Sequence, residues 1–383
     1  MTSDKNDRTK DDKNIIERLM GGFKEAANPD KRDQLMEKVV DLKESGKHIS
    51  GAKTSDPIGL DIGTSRIVSI KKGPVGDLIA KDQLNAFFPI PNSVFANQML
   101  IKNELNFKEI EEGKQLAIMG HDAAKFGNIF NGELRRPMSQ GILKAEEPNG
   151  IMMIKEIINL VVERPKDFGT SLCFGVPAPQ LGLESDLIFH ESILKKYLVG
   201  LGYSAKSITE SAAIVLAELA DDNFTGIGIS MGGGMCNVCF SFLSVPVIVF
   251  SIPKGGDYID LCVSRVVNET QNRVRDIKEE SLDFGRPSKN KIENAFEIYY
   301  DEMTLDLLTT LGNRLSQTEH LPKLSNPIPI VLAGGTCMPN GFRQKFDKLL
   351  KQAPLPIQIS EVRVSKDPLR AMARGALINA GAV

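Results

Sequence analysis

Two glycine-rich turns carry the chemistry this sequence could do. Ile58-Gly-Leu-Asp-Ile-Gly-Thr-Ser-Arg-Ile-Val-Ser-Ile70 reads as strand, tight turn, strand, with Gly63 at the turn. Thr225-Gly-Ile-Gly-Ile-Ser-Met-Gly-Gly-Gly-Met-Cys-Asn-Val-Cys-Phe-Ser-Phe242 repeats the pattern, with Gly232, Gly233 and Gly234 together. Glycine there removes a side chain that would collide with a ligand, so backbone N–H groups can approach a phosphate. One such turn is equally a plain hairpin. Two, in matching places of two lobes, would grip a triphosphate from opposite sides. Asp61 stands just before the first turn and would face the same cleft. A carboxylate there can hold a water of hydrated Mg²⁺; its bland alternative is a turn residue capping its own loop. A third turn, Gly334-Gly335-Thr336, would let a nucleoside lie against bare backbone.

The surrounding pattern is α/β. Ile151 to Val162 and Ser185 to Leu201 have helical periodicity, and Ser171 to Val176 reads as a buried strand. A further helix follows Thr209 and carries Ala212, Ala213, Val215, Leu216 and Leu219. Ile328 to Ala333 is a strand running into the third turn, and Asp367 to Ala380 an Ala-rich helix. Residues 1–54 read differently. The charged start is expected to be disordered. Ile15, Ile16, Leu19, Met20 and Phe23 then fall on one side of a short amphipathic helix.

Composition sets bounds. The chain has 383 residues, enough for two large lobes with separate cores. A net charge of -2 argues against a basic nucleic-acid face, so no direct nucleic acid is expected. No apolar run reaches the roughly 18 residues that span a bilayer, and no signal peptide opens the chain. Five scattered cysteines fit buried thiols in a reducing cytoplasm. Cys236 and Cys239 form a lone CxxC without the second ligand pair a zinc site needs.

Taken in order, these segments resemble the actin, heat-shock-chaperone and sugar-kinase superfamily, and within it the bacterial MreB and MamK branch. Gly59 to Ser65 resembles the first phosphate motif, with Thr64 and Ser65 on it. Arg136-Pro-Met-Ser-Gln-Gly-Ile142 is similar to the segment opening the connecting helix, and Ala117 to Lys125 to the one closing the small subdomain. Glu210-Ser-Ala-Ala-Ile-Val-Leu-Ala217 resembles the motif whose acid or amide orients the attacking water. Ser230 to Asn237 takes the place of the second phosphate motif, followed by Gly255-Gly-Asp-Tyr-Ile-Asp260. Arg275-Asp-Ile-Lys-Glu279 resembles the adenosine-contacting helix, which implicates Lys278 and Glu279. Ala333 to Thr336 resembles the adenosine motif, and Asp367 to Gly375 the terminal helix.

The resemblance implies a two-lobed actin-like fold with duplicated, ribonuclease H-like sheets and a nucleotide cleft holding ATP or ADP with Mg²⁺. Lobe I would span 55–222, with a small subdomain at about 92–136. Lobe II would span 223–358, and 359–383 would return to lobe I. Only about a dozen residues separate Lys278 from the helix near Ile292, so the second small subdomain, about 276–291, is expected to be reduced.

The expected function is a nucleotide-dependent cytoskeletal filament, cytoplasmic or at the inner face of a membrane. The rivals are a scaffold that holds nucleotide without hydrolysing it, a membrane adaptor, and a small-molecule kinase of the same superfamily. The N-terminal helix is a candidate for peripheral membrane contact, although its mixed charges, Glu17, Arg18, Lys24 and Glu25, also suit docking on protein. Departures from the family pattern point to slow hydrolysis. Ser230 stands where the family has Asp, Met235 and Cys236 where it has Thr, and Asn237 replaces another acid. Ser230→Asp, alone or with Cys236→Thr, is expected to raise turnover. Glu210 and Lys278 also have bland readings, as a helix-start acid and a solvated helix charge.

Overall fold

The computed structural model describes residues 56–382, apart from 131, 181–183 and 354. The extension 1–54 and its apolar stripe lie outside the described residues.

Strands β1 (Ile58–Ile62), β2 (Arg66–Lys72) and β3 (Leu78–Leu84) form an antiparallel meander. A small unit follows: β4 (Phe87–Pro91), α1 (Val94–Lys102), β5 (Phe107–Ile110), β6 (Gln115–Met119) and α2 (Gly120–Phe130). Its sheet has the order β4-β6-β5. The short hairpin β7 (Met138–Ser139) and β8 (Ile142–Leu143) leads to α3 (Gly150–Val161), β9 (Thr170–Val176), α4 (Glu184–Gly200), β10 (Tyr203–Thr209) and α5 (Glu210–Glu218). The second half opens with another meander, β11 (Gly226–Met231), β12 (Cys236–Phe242) and β13 (Val245–Ile252). Then come α6 (Gly256–Val267), α7 (Gln271–Glu280) and α8 (Lys291–Gln317). Strand β14 (Ile328–Ala333), a 3-10 turn at Gly335–Cys337, α9 (Phe342–Leu350), β15 (Ile359–Val364) and α10 (Ala371–Gly381) complete it.

The two large sheets share one topology. The first runs β10-β9-β1-β2-β3 and the second β15-β14-β11-β12-β13. In each, a meander lies beside two strands parallel to its first member. β11 and β14 are buried along their whole length and, apart from Ser230, read as apolar runs, as central strands covered on both faces do. Lobe I packs α3 on its sheet through Ile154, Ile157 and Phe174. Lobe II packs the 27-residue α8 on its sheet through Phe296, Tyr300 and Leu308.

The helices α5 and α10 lie between the sheets and cross each other closely. Each leaves one lobe and packs on the other: α5 follows β10 and rests on β11, while α10 follows β15 and rests on β1. The crossing needs glycine. A Cβ on Gly375 would stand 1.8 Å from the Ala213 carbonyl oxygen; where α10 rests on β1, one on Gly59 would likewise stand 2.0 Å from that of Ala373.

One local expectation is corrected. The last helix begins at Ala371, because Asp367 to Arg370 form a turn closed by Arg370 N–H on the Asp367 carbonyl. The stretch 240–252 is the β12–β13 hairpin. Cys236 and Cys239 point to opposite faces of β12, one into each helix layer. Residues 281–290 join α7 directly to α8 without a strand. No described helix is long and apolar enough to cross a membrane.

Candidate functional site

The meanders bring their turns face to face across the cleft between the lobes. Both turns are built alike: Gly63 N–H donates to the Arg66 carbonyl and Gly232 N–H to the Met235 carbonyl, each at 3.0 Å. Gly63, Gly232, Gly233 and Gly234 all keep negative φ, so backbone freedom does not explain them. Close approach does. A Cβ on Gly233 would stand 2.0 Å from Ser65 Oγ, and one on Gly234 2.3 Å from Thr64 Oγ1. Thr64 Oγ1 accepts the Gly141 N–H at 2.9 Å, which ties the β7–β8 hairpin to the first turn.

One cleft of about 460 Å³ is lined by the candidate binding and catalytic residues Asp61, Gly63, Thr64, Ser65, Glu210, Ser230, Gly232, Gly233, Gly234, Lys278, Glu279, Gly334, Gly335 and Thr336. That volume lies in the range of small-molecule sites. Met235 also lines it, but Cys236 turns away into the core of lobe II with Val238 and Phe240. The expectation that Cys236 occupies a hydroxyl position beside the phosphates is therefore corrected. Strand alternation already puts 236, 238 and 240 on one face.

Where the two turns meet, Glu210 opens α5 and is 9% exposed. Its Oε2 accepts from Ser230 Oγ at 3.0 Å and from Asn237 Nδ2 at 2.9 Å. Asn237 in turn accepts the Ala178 N–H at 2.7 Å. Burial pushes the Glu210 carboxyl up, with the Ser230 hydrogen bond working against it. Asp61 is held well above the usual carboxylate range by burial, and further by the Glu210 charge. Two buried carboxyls whose charged forms are disfavoured are a fit for a cation: a hydrated Mg²⁺ would relieve both, with Asp61 holding its water.

Two cations face two acids on the lobe II side. Asp257 and Asp260, one turn apart on α6, face Arg275 and Lys278, one turn apart on α7. Lys278 Nζ reaches Asp260 at 2.8 Å and the Gly256 carbonyl at 3.1 Å. Its ammonium is thus engaged within lobe II and is 9% exposed, while Glu279 stands exposed at the rim. Burial would raise the Asp257 carboxyl, but Arg136, Arg275 and Lys278 together hold it below its ordinary value. Burial also raises Asp260, against Lys278 and Arg275.

At the third turn, Gly334 takes φ of 96°, a left-handed conformation that favours glycine. Thr336 Oγ1 donates to the Gly232 carbonyl at 2.8 Å, so its side chain braces the second turn. Residues 282–285 pack on the turn after Cys337, with Phe284 N–H donating to the Asn340 carbonyl at 2.7 Å. Sequence reasoning assigned no role to Arg136, Asp257 or Arg275, and read Asn237 as a lost acid. The matched one-turn spacing of Asp257/Asp260 and Arg275/Lys278 is the signal that could have found two of them, Asp257 and Arg275.

The fold recurs in solved structures. A MamK double helical filament superposes with a TM-score of 0.62 at 17% identity, over 86% of this chain and 99% of that chain. MreB5 of Spiroplasma citri bound to AMPPNP gives 0.61 at 15%, over 85% and 96%. The ethanolamine utilization protein EutJ from Carboxydothermus hydrogenoformans gives 0.51 at 15%, over 90% and 99%. These likenesses show an actin-like fold of the MreB/MamK type. No curated protein matches the chain. The Volactin family model matches residues 57–380, from β1 through α10, and the chain belongs to the Volactin family.

Proposed function

We propose that the chain binds ATP with Mg²⁺ in this cleft, hydrolyses it slowly, and polymerises into cytoskeletal filaments. The observation that carries the reading is the meeting of the two turns, Gly233 against Ser65 and Gly234 against Thr64, on two sheets of one topology. Neighbours of the same fold support it: one is a MamK filament, and MreB5 of Spiroplasma citri is described with AMPPNP and with ADP. Bound Mg²⁺ would supply neutralisation of phosphate charge. The chain's own part is to present turn N–H groups to the phosphates, to orient a water through Glu210, and to exclude bulk solvent. The nucleoside would lie against Gly334 and Gly335, beside Glu279 at the rim.

Calorimetry with ATP, and electron microscopy with ATP, ADP and no nucleotide, test the two halves separately. ATP binding and nucleotide-dependent filaments are expected. Light scattering that stays monomeric at tens of micromolar protein with ATP refutes polymerisation.

A second reading, a scaffold that holds nucleotide without turnover, is favoured by Glu210 being tied to both Ser230 and Asn237. Phosphate release within background, with ATP binding intact, selects it. We place the protein in the cytoplasm, with the stripe Ile15, Ile16, Leu19, Met20 and Phe23 as a membrane or protein contact. Co-sedimentation with anionic liposomes, lost on removing residues 1–50, distinguishes the two.

A further inference from the structure

Arg136 is the side chain that touches both halves of the phosphate end. It lies on the segment between α2 and β7 of lobe I. Its Nη1 donates to Ser65 Oγ in the first turn at 3.0 Å and to both carboxylate oxygens of Asp257 at 3.1 Å. Asp257 sits in the first turn of α6 in lobe II, and its own N–H donates to the Gly233 carbonyl of the second turn at 2.8 Å. The arginine side chain is 16% exposed and lines the cleft. It therefore stands where the two turns meet, away from any solvent-facing role.

The anions around it are oversubscribed. Asp257 also accepts from Arg275 at 3.3 Å, and Asp260 is shared between Arg275 at 3.5 Å and Lys278 at 2.8 Å. Two buried carboxylates serve three cations, and the third acid that acts on Arg136, Glu279, stands exposed at the rim. A guanidinium binds phosphate in the same two-pronged way it binds carboxylate, and a polyphosphate carries more negative charge than one carboxylate.

We propose that Arg136 is a nucleotide-contacting residue: Asp257 holds it until the phosphate tail of a nucleotide takes the carboxylate's place. This rests on the nucleotide reading above. Because Arg136 belongs to lobe I and Asp257 to lobe II, the exchange replaces a direct lobe-to-lobe ion pair by one bridged through phosphate. A ligand shifts such a contact only by its difference in affinity for the two arrangements. The effect must therefore grow with the number of phosphates.

The test is calorimetric affinity for ATP and for AMP in the full chain, as wild type, Arg136→Ala and Asp257→Asn, with melting curves to confirm folding. Arg136→Ala should weaken ATP by about tenfold or more and leave AMP within about twofold, as loss of a charge-assisted phosphate contact does. Asp257→Asn, which releases two guanidiniums, should tighten ATP and not AMP. It decides the matter by itself if Arg136→Ala does not fold. A purely structural ion pair would change the melting temperature and move ATP and AMP together. An unchanged ratio of ATP to AMP affinity in the folded variants overturns this inference alone. Failure of the wild-type chain to bind ATP overturns the nucleotide reading and this inference with it.

Discussion

Ser230 Oγ donates to Glu210 Oε2 at 3.0 Å, joining the end of β11 in one lobe to the helix that leaves the other. This relationship revises the expectation that Ser230→Asp raises turnover. An aspartate there removes a donor and sets a carboxylate against Glu210, whose ionisation burial already opposes, with Asp61 close by. Losing the partner of a buried group costs about 1–3 kcal/mol. Ser230→Asp should lower the melting temperature without Mg²⁺, recover with Mg-ATP, and fail to speed phosphate release. A variant as stable as wild type in EDTA, or faster in turnover, contradicts this account.

Glu210→Gln keeps the size of the side chain and an acceptor for Ser230 but removes the charge that would orient a water. Turnover should fall by about two decades, the scale of losing one positioning group worth about 2.7–4 kcal/mol. ATP affinity should stay within about threefold, since the phosphates are met by the turns and the cations. The pH dependence has a definite sign. Burial raises the Glu210 carboxyl, so the ionised form, and turnover with it, is lost as pH falls through a value above the ordinary carboxylate range. Equal loss of binding and turnover in the variant would make Glu210 a structural residue.

His190 gives a pH prediction outside the cleft. It is fully buried on α4, its Nδ1 accepts the Leu143 N–H at 3.3 Å, and burial lowers it from 6.5 to about 4. The imidazole is neutral in the fold and must charge on unfolding in acid. Between pH 6.5 and 4 the unfolded chain binds more protons than the folded one, so stability is lost as pH falls through that window. The shift is worth about 3 kcal/mol at full extent. His190→Gln, whose amide can still accept the Leu143 N–H, should flatten that part of the stability curve in denaturant titrations. An unchanged slope removes His190 from the explanation.

How much of this was legible in the sequence depends on how local each feature is. The turns at Gly63 and at Gly232 to Gly234 were readable, because strand alternation and glycine are both short-range signals. The duplicated sheets were implied by the family resemblance that those turns helped to carry, and not by the turns alone. The reason for the glycines was only half readable: all four keep negative φ, and Gly233 and Gly234 are a matter of contact with Ser65 and Thr64, while a Cβ on Gly63 or Gly232 would meet a carbonyl oxygen of its own turn. Cys236 was misplaced although the signal was there: it shares a face with Val238 and Phe240. The Arg136–Asp257 ion pair could not be read, because it joins residues far apart in the chain and depends on how two lobes close. Asn237 was counted as a missing charge, whereas its amide donates to Glu210 and so substitutes one hydrogen-bonding role for another.

The crossing of α5 and α10 yields a prediction whose sign is the reverse of the usual one. Alanine in place of a helical glycine ordinarily stabilises by about 0.5–1 kcal/mol through backbone entropy. At Gly375 the added Cβ would stand 1.8 Å from the Ala213 carbonyl oxygen and 2.4 Å from its carbon. Both are backbone atoms of another helix, so no rotamer change relieves the clash, and the helices have to part. Overpacking costs about 1–3 kcal/mol where side chains can yield, and more is expected here. The consequence is also functional. Ala213 lies one turn after Glu210 on α5, so displacing that helix moves the carboxylate away from Ser230 and Asn237. Gly375→Ala should therefore lower the melting temperature and, in whatever fraction remains folded, reduce turnover per bound nucleotide. Gly200→Ala is the matched control. That glycine ends α4 with no atom within 4 Å of a new Cβ, so the same substitution should leave stability unchanged or slightly raised. If the two variants melt alike, the crossing is looser than the distance between Gly375 and Ala213 requires, and the helix pair is not what fixes the geometry of the cleft.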